Sequence, residues 1–336
     1  MAQFISRKDL LTWLAGLLQH RTVVAPVIVQ GNVLFRPIER TEQIVFTSEK
    51  SVIPPKEWFF RQNDVLFTVL KKDSGTEISP TVMEREAVLF GIRPCDAHGM
   101  AIIDNVFLGN PADALYAERR AKTTLVGLAC IDACPGGFCS SMGGGPQDPS
   151  RLDIMLTEAG DGFIVQVITE KGNALLASAR LSDSSLQAAA PPELDKAPAV
   201  GIAKPMERFF NHEYWSRVAD RCIGCQICTY VCPTCHCFDV RDYQAKGKIE
   251  RLRTWDGCQS ALFNRIAGGH NPRPNRTARL RQRFAHKLLY FPKDYQGVLG
   301  CSGCGRCVVR CPVNIDIREV ISDMQKLGVE NAVGSA

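Results

Sequence analysis

Cysteines in two runs of one pattern are the residues of this chain whose spacing most clearly points to chemistry. The first run is Cys222, Cys225, Cys228 and Cys232, and the second is Cys301, Cys304, Cys307 and Cys311; a proline follows each run. Both have the spacing C-x2-C-x2-C-x3-C-P, in which three thiolates bind one [4Fe–4S] cube and the fourth binds the other cube. The repeat therefore predicts two [4Fe–4S] clusters.

The exchange of the fourth cysteine between the runs gives two ligand sets. We assign Cys222, Cys225, Cys228 and Cys311 to cluster 1, and Cys301, Cys304, Cys307 and Cys232 to cluster 2. Small residues such as Gly224 and Gly303 let backbone N–H groups approach the sulfurs. The alternatives are structural zinc and a disulfide framework of a small secreted chain. A repeated four-cysteine run with a terminal proline favours cubes over both.

The cysteines outside the two runs point to a further centre. They are Cys95, Cys130, Cys134, Cys139, Cys235, Cys237 and Cys258. A buried free thiol is the simplest role for any one of them. Because four of them follow predicted strands, we hypothesise a third cluster held by Cys95, Cys130, Cys134 and Cys139. A rival set combines Cys95, Cys130 or Cys139 with Cys235, Cys237 and Cys258.

Length and composition place these runs in a larger globular protein. The chain has 336 residues, 45% of them hydrophobic, which is enough for two domains with their own cores. Its fifteen cysteines, with no recognisable secretion signal, predict a reducing, cytoplasmic location. The apolar N-terminal stretch repeats with helical spacing after a Ser6–Asp9 capping box, so we expect a packed helix there. No run reaches membrane-spanning length, and no membrane association is expected.

A basic stretch lies between the two runs. From Arg265 to Lys293 there is no carboxylate, in a chain whose net charge is only +5. Such a stretch can form a nucleic-acid patch, but stacking aromatics are sparse here and no nucleic-acid-binding motif is present. Since cubes with four thiolates are anionic, we assign Arg279, Arg281 and Arg283 a supporting role around the clusters and expect no nucleic-acid partner.

The apolar pattern predicts an α+β protein: an N-terminal α/β-type domain followed by a mainly helical, ferredoxin-like dicluster domain. Strands are predicted at Thr22–Val29, Val33–Phe35, Ile44–Phe46, Val65–Leu70, Ala87–Ile92 and Thr124–Ala129. Helices are predicted over Met100–Val106 and Met206–Asp220. Because residues 182–205 are rich in Ala, Pro and Ser, we divide the chain into a domain of residues 1–181, a linker of 182–205 and a dicluster domain of 206–336. Two strands that deliver cysteines at their ends indicate a site at one edge of the sheet.

Several longer motifs resemble a known family, the β subunits of cytoplasmic NAD(P)-linked [NiFe] hydrogenases, or sulfhydrogenases. They are Ile92-Arg-Pro-Cys-Asp-Ala-His98, Phe138-Cys-Ser-Ser-Met-Gly143, Cys232-Pro-Thr-Cys-His-Cys-Phe238, Trp255-Asp-Gly-Cys258 and Ala267-Gly-Gly-His-Asn-Pro-Arg-Pro274. The resemblance covers nearly the whole chain and extends to the A subunit of anaerobic sulfite reductase. One departure concerns the third cluster: this chain has Gly137-Phe138-Cys139 where the family usually shows Cys-Phe-Cys, and Cys134 lies three residues before Gly137.

The resemblance implies an electron-transfer subunit. Its partners would be a flavin subunit that exchanges hydride with NAD(P) and the small and large subunits of a [NiFe] hydrogenase; the alternative is a sulfite reductase partner. The chain has neither a G-x-G-x-x-G dinucleotide motif nor the cysteine pairs of a [NiFe] large subunit, which agrees with this division of labour. A different class of hypothesis makes the N-terminal domain catalytic through Cys95, Asp96 and His98, although neighbouring residues on one loop rarely aim their side chains together.

Overall fold

The computed structural model describes residues 2–73, 75–83, 85–194, 199–245 and 247–333, the last five by their backbone alone. The helices are α1 (Arg7–Leu17), α2 (Pro94–Phe107), α3 (Ala114–Lys122), α4 (Glu170–Leu176), α5 (Ala203–Arg208), α6 (Tyr214–Asp220), α7 (Ile227–Tyr230), α8 (Arg276–Ala285), α9 (Phe291–Asp294), α10 (Arg306–Val309) and α11 (Ile317–Val333). The strands are β1 (Ala2–Ser6), β2 (Thr22–Val29), β3 (Asn32–Pro37), β4 (Asn63–Lys72), β5 (Gly75–Pro80), β6 (Ala87–Ile92), β7 (Thr123–Leu128), β8 (Ile154–Ala159), β9 (Gly162–Val167), β10 (Ser182–Ser184), β11 (Phe238–Ala245) and β12 (Lys248–Trp255).

Eight strands form the main sheet, in the order β10-β1-β9-β8-β7-β6-β2-β3. The four central strands β2, β6, β7 and β8 are parallel to one another, whereas every pairing with or between the outer strands is antiparallel. Alternate residues of the buried strand β6 face opposite sides: Val88 and Phe90 pack with α1, whereas Leu89 packs with α2. Both faces are therefore covered, and the carboxyl ends of β6 and β7 lie side by side.

Helix α2 begins at the end of β6. Pro94 occupies its first turn, where the missing N–H costs nothing and the fixed φ angle suits a helix. Cys95 therefore lies in the first turn of α2, and Cys130 follows the neighbouring strand β7 by two residues. The two strands that were predicted to bring cysteines to one edge of a sheet do so.

A second sheet crosses the boundary that the sequence suggested between the domains. Its four antiparallel strands have the order β11-β12-β4-β5, so the hairpin that follows the first cysteine run pairs with an N-terminal hairpin. Buried ion pairs hold this junction: Asp64 on β4 accepts two hydrogen bonds of 2.7 Å from Arg119 and one of 2.9 Å from Arg253 on β12. Beside the helices, the dicluster part thus contains two long strands, and the α+β class describes the chain as a whole.

Local predictions had mixed outcomes. The Ser6 side chain caps α1 as expected, accepting a hydrogen bond from the Asp9 backbone N–H. Residues 44–46 are not a strand, because they lead from a 3₁₀ turn at Thr41–Gln43 into an irregular loop. The single helix predicted over 206–220 is broken into α5 and α6, and in the gap the Phe209 carbonyl accepts a hydrogen bond from the Trp215 indole N–H. Part of the proposed linker, residues 195–198, lies outside the described residues.

Candidate iron–sulfur centres

The two cysteine runs have one backbone design. In each run a loop with two cysteines leads into a four-residue helix, α7 or α10, which carries the third cysteine. The residue before each helix is in the left-handed region, with φ of 65° at Gln226 and 74° at Gly305. Gly224 and Gly303 are also equivalent, with φ of 71° and 67°. The sequence repeat is therefore a structural repeat, as two similar cluster loops require.

The four thiols assigned to cluster 1 lie around one cavity. Cys222, Cys225, Cys228 and Cys311 line it together with Leu280 and Arg283. Cys225 is exposed, and the neighbouring Ile223 has 61% of its surface exposed, so this centre lies next to solvent. The Cys311 sulfur accepts a hydrogen bond of 3.2 Å from the Ile315 backbone N–H.

The cysteines assigned to cluster 2 lie deeper in the protein. Cys301, Cys304 and Cys232 are buried, and Cys307 is partly buried. Burial raises the pKa of the Cys301 thiol to about 12, and the adjacent Cys232 and Cys307 add to that rise. Cys232 and Cys307 also lie beside the Cys304 thiol and raise its pKa, so the four cysteines of the predicted set are neighbours.

A lysine from the basic stretch contacts this set directly. The Lys287 ammonium donates hydrogen bonds to the Cys232 sulfur at 3.3 Å, the Thr234 hydroxyl at 2.7 Å and the Gly300 carbonyl at 3.1 Å. Lys287 lies in a π-helical segment, His286–Tyr290, that joins α8 to α9. Such local widenings of a helix often occur at functional sites, and here one carries a buried cation whose partner is a thiol rather than a carboxylate.

A third cavity contains the cysteines of the N-terminal part. Cys95, Cys130, Cys134 and Cys139 line it, and Cys304 of the second run lines it too. Burial raises the pKa of the Cys130 thiol to about 11. Lys50 also lines this cavity, and its ammonium donates a hydrogen bond of 3.2 Å to the Cys134 sulfur.

This third cavity is joined to the second run by close backbone contacts. The Phe138 N–H donates a 2.8 Å hydrogen bond to the Gly303 carbonyl. A Cβ atom on Gly303 would lie 2.6 Å from the Cys139 Cα, and one on Gly305 would lie 2.2 Å from the Gly136 carbonyl oxygen. Only glycine allows these approaches, because any side chain would collide with backbone atoms.

A buried ion pair fastens the same junction. The Arg306 guanidinium, next to Cys307, donates hydrogen bonds of 2.5 and 3.0 Å to the two Asp96 carboxylate oxygens. It also donates to the backbone carbonyl and hydroxyl of Ser51. Because the Asp96 carboxylate is engaged in this way, it is not directed toward His98, which counts against a catalytic Cys95-Asp96-His98 group.

The other three cysteines lie apart from the third cavity. Cys235 contacts Cys232, and Cys237 contacts Cys258 through their side chains. None of Cys235, Cys237 and Cys258 lines the cavity that holds Cys95. The structure therefore groups the thiols of the first hypothesised third set and does not bring the rival set around that cavity.

Of the three arginines assigned to cluster support, one lies at a cluster cavity. Arg283 is buried, lines the cluster 1 cavity and donates a 3.3 Å hydrogen bond to the Cys228 carbonyl. Arg279 donates to the Arg273 and Pro274 carbonyls, and Arg281 stacks on the Phe210 ring at 4.0 Å.

Sequence reasoning assigned no role to three further cations that lie beside cysteines: the partly buried Lys50 and the buried Lys56 and Arg306. Lys56 is 1% exposed, donates to the Cys235 carbonyl and lies 4.2 Å above the Trp255 ring. Lys50 and Lys56 lie far from the cysteine runs in the sequence, so the pattern around them contains no signal for a cluster role. Arg306 lies between Cys304 and Cys307, and this position in the second run could have indicated such a role.

The residues fit [4Fe–4S] groups by the chemistry of their donors. The cluster 1 cavity and the third cavity are each lined by five cysteines, four of which belong to the assigned set. Within the described residues, the hydrogen bonds of Lys50, Lys56 and Lys287 go to sulfur, hydroxyl and carbonyl atoms rather than to carboxylates. Buried cations need an anionic partner, which thiolate-ligated cubes supply. In the described residues no three His, Cys, Asp or Glu side chains are close enough for a single metal ion. A cube takes ligands that are more widely spaced, because its irons and sulfides lie between them.

Comparison with known proteins gives two matches. The family model of a 4Fe-4S dicluster domain matches residues 221–315. The sulfhydrogenase 2 subunit beta of Pyrococcus furiosus is 31% identical over 319 residues, which cover 90% of this chain and 92% of the relative. The chain belongs to the sulfhydrogenase β-subunit family. The resemblance inferred from the motifs is thereby confirmed, and so is the prediction of [4Fe–4S] clusters. No solved structure matched this chain. Within the described ranges, every helix of this sulfhydrogenase β-family protein is too short or too polar to span a bilayer.

Proposed function

We propose that this chain is the electron-transfer subunit of a hydrogenase complex and that it carries three [4Fe–4S] clusters in a row. The order third cluster, cluster 2, cluster 1 is supported by two shared residues. Cys304, a cluster 2 ligand, also lines the third cavity, and Cys307, another cluster 2 ligand, also lines the cluster 1 cavity. Cluster 2 would therefore be the middle centre of the row.

The ligand sets are those predicted from the sequence. Cys222, Cys225, Cys228 and Cys311 would hold cluster 1, Cys301, Cys304, Cys307 and Cys232 cluster 2, and Cys95, Cys130, Cys134 and Cys139 the third. The clusters supply one-electron chemistry, and the protein supplies thiolates, buried cations and exclusion of water. Because burial raises the pKa of Cys130 and Cys228 to about 11, these thiols are protonated at neutral pH in the metal-free chain, and cluster insertion releases their protons.

The two ends of the row suggest the two contacts of the subunit. Cluster 1 lies beside the exposed Cys225 and Ile223, so one electron partner would dock there. The partners would be a flavin subunit that binds NAD(P) and the small and large subunits of a [NiFe] hydrogenase, in the cytoplasm. The row of clusters would pass single electrons between the [NiFe] site, which reacts with H2, and the flavin, which exchanges hydride with NAD(P).

The number of clusters is tested by iron and acid-labile sulfide analysis of the anaerobically purified protein. About twelve irons per chain would support three clusters, and about eight would exclude the third. Cys139→Ser should lower the iron content by about four and remove one EPR signal. Cys237→Ser is the control, because Cys237 is a partly buried thiol that lies in none of the three ligand sets.

The role in a complex is tested through a tag on this chain. Anaerobic purification should yield a complex that contains a [NiFe] subunit and reduces NAD(P) with H2. Absence of that activity together with sulfite-dependent oxidation of NAD(P)H would move the chain to a sulfite reductase while leaving its electron-transfer role in place.

A further inference from the structure

Lys50 contacts ligand residues of two neighbouring cluster sites at once. Its ammonium donates a 3.2 Å hydrogen bond to the Cys134 sulfur, and it also donates to the Cys304 carbonyl. Cys134 belongs to the third set and Cys304 to cluster 2. A third, longer contact of 3.5 Å reaches the Pro135 carbonyl, so every hydrogen bond of this ammonium lies at the junction between the two sites.

Two other cations lie near this junction. Arg306 is neutralised by its ion pair with Asp96, with side-chain exposures of 4% and 1%. Arg93 lines the third cavity, and its hydrogen bonds go to the carbonyls of Leu128, Ala129 and Thr47, none of which is a cluster 2 residue. Lys50 makes its hydrogen bonds to one sulfur and two carbonyls, and among the described residues it has no carboxylate partner. Of the three cations, Lys50 is therefore the one that contacts residues of both sets with its charge unpaired.

We propose that Lys50 is a positioning residue shared by cluster 2 and the third cluster, and that it raises the reduction potentials of both. This inference rests on the proposed third cluster. Net charge and hydrogen bonds to the ligand sulfurs set the potential of an iron–sulfur centre, and a nearby cation favours the reduced, more negative state. Because one ammonium acts on both centres, an electron would be stabilised on this pair and cluster 1 would be left unaffected.

The test is an EPR-monitored redox titration of the anaerobic protein. Lys50→Met should lower the midpoint potentials of two centres and leave that of cluster 1 unchanged. At the wild-type midpoint, the ratio of reduced to oxidised centres should fall about tenfold for each of the two, which corresponds to 59 mV for a one-electron couple. Lys50→Arg should keep both midpoint potentials close to the wild-type values, because it keeps the positive charge.

Lys171→Met is the matched control. Lys171 is also a partly buried lysine of the N-terminal part; it donates to the Ala121 and Thr123 carbonyls at 2.7 and 2.6 Å, and none of its described hydrogen bonds goes to a cysteine. Its replacement should move no midpoint potential.

Three results would overturn the inference. Unchanged midpoints in Lys50→Met would show that the charge does not act on the clusters, and an equal shift of all three centres would show that its effect is not confined to the pair. Loss of iron from both Lys50→Met and Lys50→Gln would make Lys50 a structural support instead. Failure of the third cluster itself is distinguished by the wild-type iron content, because about eight irons with a shift of cluster 2 alone would remove the shared role while leaving the effect on cluster 2.

Discussion

Replacement of Asp96 by Asn should loosen the junction between the N-terminal part and the second cysteine run. The Asp96 carboxylate accepts two hydrogen bonds from Arg306, and both side chains are at most 4% exposed. Removing one partner of a buried pair leaves an uncompensated charge and costs about 3–5 kcal/mol. At 1.4 kcal/mol per factor of ten, that cost corresponds to an increase in local opening of about 10²-fold to several thousand-fold.

Native-state hydrogen exchange measures this opening at the place where it should occur. The amides of Val308, Val309 and Arg310 donate to the carbonyls of Gly305 and Arg306 within and beside α10, so they report on that helix directly. In Asp96→Asn these amides should exchange about 10²-fold faster or more, up to the limit that global unfolding sets. Amides in β8 should change little.

Two further variants make the reasoning refutable. Glu207→Gln breaks an exposed pair with Lys293, 61% and 49% exposed, and should cost less than about 1 kcal/mol. Adding Arg306→Met to Asp96→Asn removes the stranded charge and should recover part of the loss. If Asp96→Asn opens α10 no more than Glu207→Gln does, the buried pair does not hold the junction.

Three other changes have expected outcomes that the geometry sets. Gly303 and Gly224 share a left-handed φ, but only at Gly303 would an added Cβ lie 2.6 Å from backbone atoms. In chemical denaturation Gly303→Ala should therefore cost about 1–3 kcal/mol more stability than Gly224→Ala. Equal losses of stability in the two variants would contradict the contact. Burial lowers the pKa of His98 from 6.5 to about 4, so the unfolded chain binds a proton before the folded chain does. The free energy of unfolding should therefore fall by about 1.4 kcal/mol per pH unit as the pH drops from 6.5 to 4. In His98→Leu the dependence of stability on pH should be shallower over this range, and an unchanged slope would contradict the assignment. Asp64→Ala strands the buried Arg119 and should cost about 3–5 kcal/mol in thermal or chemical unfolding, whereas a loss below 1 kcal/mol would show that the pair does not hold the second sheet.

The elements that depend on local sequence could be predicted. The repeated cysteine spacing predicted the backbone repeat of the two loops and the grouping of the four thiols assigned to cluster 1, because a cube loop needs thiolates at short, fixed intervals. The buried strands β6 and β7 were readable from continuous apolar runs, and parallel pairing brought Cys95 and Cys130 to one edge. These predictions used only the order of residues within short segments and the rule that the carboxyl ends of parallel strands lie at one edge of a sheet.

The contacts that support the site could not be predicted, because they join distant segments. Asp96 and Arg306 are 210 residues apart, and Lys50 and Cys304 are 254 apart. Nothing in the pattern around Lys50 distinguishes it from a surface lysine. In the same way, the pairing of β12 with β4 depends on the register between two hairpins far apart in sequence. The break between α5 and α6 likewise follows from packing, since Trp215 is held by the Phe209 carbonyl.

The buried Lys287 lies between two thiols whose pKa values shift in opposite directions. Burial raises the pKa of the Cys301 thiol to about 12, so it is neutral at neutral pH. A hydrogen bond from Cys235, with Lys287 and Lys56 nearby, holds the pKa of the Cys232 thiol well below its usual range. Buried charge needs a partner, and ligation of a cube would convert Cys301 as well to a thiolate. Because a cube would thus add negative charge beside Lys287, we expect cluster binding to stabilise the folded state around the second cysteine run.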